Sequence, residues 1–245
     1  MKKLIVGNWK MNPNTVEEAK NIISKVRRSD LGNNATTILC PPSIFIHLGA
    51  SDKSNYCLGA QNVNENEKGS FTGEISASML KDLGVTYCIV GHSERRKMGE
   101  NSELISKKAQ RLIDCDITPI ICVGEGERDP DSVYLNKISE QIKASIPSIE
   151  SNKQTHFIIA YEPIWAIGAP EPMKMSDIHE TTIFIRKVLS DIFGREKAIK
   201  IPVLYGGAVN KTNAKQIIDE SKVDGFIIGR ESLNPSDFIE LVKSI

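Results

Sequence analysis

The sequence Phe-Ile-Ile-Ala-Tyr at residues 157–161 is apolar at every position, and Glu162 and Pro163 follow it directly. A strand with one face in water alternates apolar and polar residues, whereas a strand covered on both faces is apolar throughout. Residues 157–161 therefore predict a buried strand of a parallel sheet, and this strand ends at a charged side chain.

Runs of the same character recur along the chain, with longer mixed segments between them. The mixed segments carry helix signals. Thr15 and Glu18 form a capping-box pattern, Gly194 follows an apolar stripe at residues 183–192, and Pro235 lies near the start of the last stripe. This alternation of strands and helices predicts a parallel sheet. The predicted strands are residues 4–9, 37–40, 56–60, 87–90, 119–123, 157–161, 202–205 and 226–228, and further helices are predicted at residues 102–113 and 132–146.

Eight strand–helix units in 245 residues fit an α/β fold of the (β/α)₈ or TIM-barrel type, with residues 1–245 as a single domain. A doubly wound open sheet is the alternative fold. It usually carries a glycine-rich dinucleotide turn after its first strand, where this chain has Gly7-Asn8-Trp9-Lys10. The closed barrel is therefore the predicted architecture.

The composition excludes several functions. The 31 basic residues balance the 31 acidic ones, which gives no electrostatic reason to expect nucleic acid or an anionic membrane as a partner. The five cysteines form no CxxC pair, so we expect reduced thiols and no metal site. The first apolar run is too short for a signal peptide, and no run approaches the roughly 20 residues of a membrane span. We expect a cytoplasmic protein.

Polar residues and glycines stand where the predicted strands end. In a barrel of this type the chemistry lies at the carboxyl ends of the strands, so these residues are expected to share one site. A structural scaffold does not need such a concentration. The residues are Asn8, Lys10, Gln61, Asn62, the segment 91–96, Glu162, Gly206, Gly207, Gly229 and Arg230.

Three of these side chains suit proton-transfer chemistry, although each alone has a plainer interpretation. Lys10 is either a solvated surface lysine or a fixed cation that stabilises negative charge on a substrate oxygen. His92 is either structural or a neutral imidazole at a helix start, able to polarise a carbonyl group. Glu162 is either half of an ion pair or a poorly hydrated carboxylate, which is a stronger base. Together, at strand ends that share one end of the predicted barrel, they favour the catalytic interpretation.

The glycines at the ends of the seventh and eighth predicted strands suit a phosphate. Gly206, Gly207 and Gly229 could be ordinary turn residues. Their position matches the usual phosphate site of these barrels, and glycine lets backbone N–H groups approach phosphate oxygens closely.

The motifs together resemble those of the triosephosphate isomerase family across the whole chain and in the family's order. Ala160-Tyr161-Glu162-Pro163-Ile164-Trp165-Ala166-Ile167-Gly168 resembles the glutamate-and-lid motif, which is highly specific by itself. The other matching stretches are residues 7–12, 59–62 with 69–74, 89–96, 205–207 and 224–226.

The resemblance implies an isomerase of triose phosphates in glycolysis and gluconeogenesis that needs no cofactor. It implies that Glu162 moves a proton between carbons and that His92 polarises the carbonyl group. It implies that Lys10 and Asn8 bind substrate and stabilise the enediolate. Glu94 and Ser93 would support these residues.

The resemblance also implies where the phosphate and a partner subunit bind. Ile167 and Ile227 would cover Glu162 and exclude water. A homodimer would form through residues 61–74, with Thr72 reaching the partner subunit near Lys10. The positions implied to bind phosphate are Gly168, Gly207, Ala208, Gly229 and Arg230.

The chain departs from the family pattern around this phosphate region. Residues 169–172, Ala-Pro-Glu-Pro, replace the usual lid sequence, and the lid looks about three residues shorter, which we hypothesise weakens its seal against water. Ala208 stands where the family has serine. Arg230 stands where the family more often has glycine, and we expect its side chain to point into solvent.

Two other functions remain open at this point. One is an isomerase of a larger sugar phosphate, which fits the fold and the phosphate site but does not explain why Asn8, Lys10, His92 and Glu162 occur together. The other is a non-catalytic binding protein, which the fold alone does not exclude.

Overall fold

The computed structural model describes residues 2–50, 54–129, 131–147, 156–168 and 172–245. Within them, eight parallel strands close into a barrel in chain order, each hydrogen-bonded to its sequence neighbours, and β1 also pairs with β8. The strands are β1 (Lys3–Asn8), β2 (Ala35–Cys40), β3 (Cys57–Ala60), β4 (Tyr87–Val90), β5 (Thr118–Val123), β6 (Ile158–Tyr161), β7 (Val203–Tyr205) and β8 (Gly225–Ile228).

The predicted barrel is confirmed, and each predicted strand lies within two residues of an observed one. In the described residues, α-helices connect the strands on the outside, and three short 3₁₀ helices lie at Ser43–Phe45, Ile164–Ala166 and Arg230–Leu233. The α-helices are α1 (Val16–Arg28), α2 (Ile46–Gly49), α3 (Ala77–Asp82), α4 (Ser93–Lys97), α5 (Ser102–Asp114), α6 (Val133–Ser145), α7 (Met175–Phe193), α8 (Arg195–Ala198), α9 (Ala214–Ser221) and α10 (Pro235–Lys243).

The helix ends follow local sequence chemistry. Thr15 accepts a hydrogen bond from the Glu18 N–H (3.2 Å), as the capping-box pattern predicts. Gly194 ends α7, and Pro235 is the first residue of α10. The predicted helix at 132–146 begins one residue later, because the Asp129 carboxylate accepts the Val133 and Tyr134 N–H groups from outside the helix.

Two apolar layers explain why the strands are apolar throughout. Side chains of a strand alternate between its faces. In β6, Ile158 and Ala160 therefore pack inside the barrel, while Ile159 and Tyr161 pack outward against the helices. The interior layer comprises Leu4, Val6, Ile38, Cys40, Ile89, Ile120, Cys122, Ile158, Ala160, Leu204 and Ile227.

The interior layer also determines where polar side chains emerge. Continuing the alternation by one step beyond Leu4 and Val6 brings Asn8 to the interior face, and beyond Ile158 and Ala160 it brings Glu162 there. The carboxyl ends of the strands thus place polar groups directly above an apolar interior. No helix in the described part of the chain is long and apolar enough to cross a membrane.

Candidate active site

The catalytic candidates Lys10, His92 and Glu162 follow β1, β4 and β6, all at the carboxyl ends of the strands. Glu162 follows β6 and is 3% exposed, and His92 follows β4 and is 6% exposed. Gly91 has a φ of +69°, a conformation that favours glycine, and it ends the strand alternation. His92 consequently becomes the N-cap of α4 instead of continuing the strand.

Two contacts orient the His92 imidazole and assign the tautomer of its neutral form. Its Nδ1 atom accepts a hydrogen bond from the Glu94 backbone N–H (3.2 Å), so this nitrogen carries no proton. The proton is therefore on Nε2, which lies 3.1 Å from Glu162 Oε1. The sequence suggests neutrality from the helix dipole, and the structure adds this direct hydrogen bond.

Glu162 is held at both carboxylate oxygens. Oε1 faces His92, and Oε2 accepts the Ser93 backbone N–H at 3.1 Å. The glycine at 124 brings the two chain segments together, since a Cβ there would lie 1.9 Å from the Glu162 carbonyl oxygen. The Cys122 thiol lies against Glu162. Burial, followed by the Glu162 charge, raises the pKa of this thiol well above its ordinary value.

Lys10 adopts an unusual backbone conformation that local hydrogen bonds compensate. Its φ is +55°, which costs a non-glycine residue about 1–3 kcal/mol. Its N–H donates to Asn8 Oδ1 (3.1 Å), and its carbonyl oxygen accepts from Gln61 Nε2 (2.9 Å). These contacts fix the start of a side chain whose ammonium group is 2.6 Å from Glu94 Oε1.

The Lys10 contact changes the acidity of Glu94. Partial burial alone would raise the pKa of this carboxyl group, but the hydrogen bond from Lys10 and the positive charges of Lys10 and Lys97 outweigh burial and lower the pKa. The pair therefore consists of a carboxylate and an ammonium ion at neutral pH, and it places a fixed positive charge at the rim.

A cavity of about 430 Å³ lies above the interior layer and collects almost all predicted site residues. Ser93 is outside its lining but donates to Glu162, and Glu94 lines a second, adjacent cavity. Of the lid residues that depart from the family pattern, 169–171 lie outside the described residues. The predicted residues that line the 430 Å³ cavity are Asn8, Lys10, His92, Glu162, Ile167, Gly168, Gly207, Ala208, Ile227, Gly229 and Arg230.

One wall of this cavity offers backbone donors. The N–H groups of Gly207, Gly229 and Arg230 have no hydrogen-bond acceptor among the described residues. Backbone N–H groups normally find a partner, so unpaired donors beside a cavity suit an anion such as phosphate. At position 207 a Cβ would lie 2.0 Å from the Tyr205 hydroxyl oxygen, so this wall requires glycine there. The Arg230 side chain is exposed, although the residue lines the cavity.

Several residues of the site were not assigned a role from the sequence. Gln61 stands at a strand end, and its amide bonds the Lys10 and Cys40 carbonyl oxygens. Glu125 is buried just after β5 and accepts hydrogen bonds from Tyr161 and Trp165. The search for polar residues at strand ends had already singled out Gln61, and it would also have found Glu125, which directly follows Val123-Gly124.

Comparison with known proteins gives consistent results. A family model described as Triosephosphate isomerase matches residues 3–245. The triosephosphate isomerase of Clostridium novyi is 37% identical over 247 residues, covering 99% of this chain and 98% of the relative. That of Dictyoglomus turgidum is 36% identical over 248 residues, covering 99% of both chains. That of Endomicrobium trichonymphae is 38% identical over 247 residues, covering 99% of this chain and 98% of the relative.

Proposed function

Because the chain belongs to the triosephosphate isomerase family, we propose that it interconverts dihydroxyacetone phosphate and D-glyceraldehyde 3-phosphate, with Glu162 as the base. This reaction is a step of glycolysis and gluconeogenesis, which agrees with the cytoplasmic location expected from the sequence. The observation that carries the proposal is the contact of Glu162 Oε1 with His92 Nε2 at 3.1 Å, in a cavity that Lys10 also lines. The family model covers nearly the whole chain, which supports one catalytic domain.

The first step removes a proton from C1 of dihydroxyacetone phosphate. The Glu162 carboxylate takes this proton, the C–H electron pair forms a double bond to C2, and the carbonyl oxygen receives the negative charge. His92 donates a hydrogen bond to that oxygen through Nε2, and Lys10 stabilises its charge. A glutamate base with a neutral histidine is the family's established pairing.

The second step returns the proton to the other carbon. His92 transfers protons between the two enediolate oxygens, and the protonated Glu162 delivers its proton to C2. C1 then becomes the aldehyde of glyceraldehyde 3-phosphate. The Nε2–H of His92 has one proton to donate, so the substrate oxygen replaces Glu162 as its acceptor.

The phosphate binds at the opposite wall of the cavity in this proposal. The unpaired N–H groups of Gly207, Gly229 and Arg230 donate hydrogen bonds to its oxygens, and Gly168 contributes from the lid side. Ala208 leaves one hydroxyl donor fewer than the family has. Ile227 lies close to Glu162, since a Cβ on Gly206 would approach both of their side chains within 3.0 Å. It thus excludes water from the base, together with Ile167.

Replacing Glu162 by glutamine tests the assignment of the base. Loss of a general base lowers the rate roughly 10²–10⁴-fold, and kcat is expected to fall by that factor with little change in KM. The matched control is Glu180→Gln, an exposed glutamate on α7. Isomerisation is followed by NMR with triose, pentose and hexose phosphates as separate substrates. Equal rates for wild type and E162Q would contradict the proposal. Faster isomerisation of a pentose or hexose phosphate than of a triose phosphate would show that the substrate is a larger sugar phosphate.

We further propose that two copies associate through residues 61–74. A second cavity of about 400 Å³ shares Asn8, Lys10 and His92 with the catalytic one. Its occupant therefore lies beside the catalytic residues. The resemblance assigns this place to Thr72 of the partner subunit, and Thr72 is exposed in the chain. Exposed apolar side chains on or next to its lining support this interface: Met11, Ile44, Phe71, Met79 and Met98.

The oligomeric state tests this interface directly. Sedimentation equilibrium of the wild type at micromolar concentration is expected to give the mass of a dimer. Thr72→Arg is expected to give monomers with reduced kcat, because it would place a second cation beside Lys10, which lines this cavity. A monomeric wild type with full activity would refute the interface.

A further inference from the structure

Arg128 lies between two chain segments. The first is residues 161–165, which lead to Ile167 and Gly168 at the catalytic cavity, and the second is the start of α7. It belongs to the loop between β5 and α6 and does not line the catalytic cavity. Its side chain is 21% exposed, and its guanidinium group contacts residues from both segments. The roles proposed above for the substrate-binding residues do not use it.

Arg128 contacts the first segment through Glu125, which binds both Tyr161 and Trp165. This carboxylate has a fully buried side chain, and its Oε1 accepts hydrogen bonds from the Tyr161 hydroxyl (2.9 Å) and the Trp165 indole N–H (3.0 Å). A buried carboxylate needs a compensating charge. Among the described residues, the cation that pairs with it is Arg128, whose Nε lies 3.5 Å from Oε1.

The same guanidinium group also packs on aromatic rings. It lies 4.6 Å from the centroid of the Tyr134 ring and 5.9 Å from that of Trp165. A cation over an aromatic face is attracted by the ring's electrons, so Arg128 fixes Trp165 by stacking as well as through Glu125. Trp165 precedes Ile167 by two residues, and the 3₁₀ helix Ile164–Ala166 links them.

Arg128 contacts the second segment, the start of α7, directly. Arg128 Nη2 donates to Thr181 Oγ1 at 2.8 Å, and Nη1 lies 3.5 Å from Asp177 Oδ2. Thr181 is fully buried, so protein atoms shield this hydrogen bond from water. The planar guanidinium group thus donates to Thr181 of the second segment while its charge lies beside Glu125 of the first, an arrangement that the ammonium group of a lysine cannot match in geometry.

We propose that Arg128 is a positioning residue that fixes residues 164–168 relative to α7, and so holds Ile167 and Gly168 at the catalytic cavity. This inference rests on the proposed isomerase function. Removing Arg128 frees Trp165 from one side and Asp177 from the other, and Ile167 then shields Glu162 less well from water.

The chemistry of the enediolate provides a specific readout. When shielding is poor, the electron pair of the enediolate forms a carbon–carbon double bond as the C3–O bond to phosphate breaks. The products are inorganic phosphate and an enol that rearranges to methylglyoxal. The ratio of phosphate released to triose isomerised therefore reports how well the intermediate is held, independently of how much enzyme is folded.

The test compares Arg128→Met with Arg186→Met. Arg186 pairs with Asp224 at 2.6 Å with similar burial, but this pair lies at the amino ends of β7 and β8, away from the site. We expect Arg128→Met to raise the ratio of phosphate to isomerised triose at least about tenfold and to raise KM severalfold, because small misplacements are costly in active sites. Arg186→Met is expected to lower Tm without changing the ratio. Arg128→Lys should give an intermediate ratio.

A second variant keeps the test valid if Arg128→Met does not fold. Asp177→Asn combined with Thr181→Val removes only the contacts to α7, leaves Glu125 paired, and should raise the ratio in the same direction. An active wild type whose ratio is unchanged in both variants would overturn the role of Arg128, as would an equal rise in Arg186→Met. A wild type without isomerase activity would instead overturn the proposed function.

Discussion

Replacing Gly124 by alanine should damage catalysis from outside the cavity. A Cβ at this position would lie 1.9 Å from the Glu162 carbonyl oxygen, whereas ordinary contacts begin at 3.4 Å, so the two segments must separate by about 1.5 Å (3.4 − 1.9). The hydrogen bond from Glu162 N–H to Val123 (2.8 Å) lies at the same place and would be lost. Glu162 would shift with its backbone, away from His92.

The size of the effect follows from this displacement. A misplacement of about 1 Å can cost 10²-fold in rate, so we expect Gly124→Ala to lower kcat by roughly that factor. Overpacking costs about 1–3 kcal/mol, and Tm should fall by about 2–12 °C for a chain of this length.

The matched control is Gly126→Ala, where nothing lies within 4 Å of the added Cβ. Steady-state kinetics and thermal unfolding followed by circular dichroism measure both quantities. If Gly124→Ala keeps the kcat and Tm of Gly126→Ala, the close approach of residues 124 and 162 does not position the base.

Three further predictions concern the rim and the scaffold. Arg230→Gly should change KM less than about twofold, because the phosphate would bind the backbone N–H and the side chain is exposed; a much larger rise in KM would place the guanidinium group on the phosphate. The pKa of Glu94 is lowered in the folded state, so its contribution to stability is present above the ordinary value of 4.5 and is lost as the pH falls through the folded value. Glu94→Gln should therefore flatten the dependence of Tm on pH in that acid range, by less than about 1 kcal/mol because the pair is partly exposed, and a parallel curve would argue against this. Thr15→Ala should destabilise the protein by about 1 kcal/mol through loss of the helix cap, seen as a shift in the urea midpoint, while Thr212→Ala in an exposed turn serves for comparison.

The barrel could be predicted because its strands are covered on both faces. Residues 157–161 are apolar on the side facing Ile120 and Cys122 as well as on the side facing the helices. Burial of both faces therefore appears in the sequence as an uninterrupted apolar run. The strand ends then identified Asn8 and Glu162 as neighbours in space. A site residue could therefore be predicted from the sequence where its place depends only on how many residues separate it from the end of a strand.

The remainder depends on contacts between distant segments. Nothing near Arg128 in the sequence specifies that it contacts Thr181, 53 residues away, or that Glu125 needs a partner. The start of α6 shows the same limit on a smaller scale, since Asp129 caps it from outside the helix. Such contacts arise from how the loops lie on the barrel, which local patterns do not encode.

The hydrogen bond from the Glu94 amide to His92 Nδ1 has a consequence for how this sequence can change over time. The donor is a main-chain group, so almost any residue at position 94 except proline can keep this hydrogen bond. Substitutions at 94 can thus remove or change the partner of the Lys10 ammonium group while the backbone contact that orients His92 stays. The backbone contact and the side-chain contact of this one residue are therefore separately heritable.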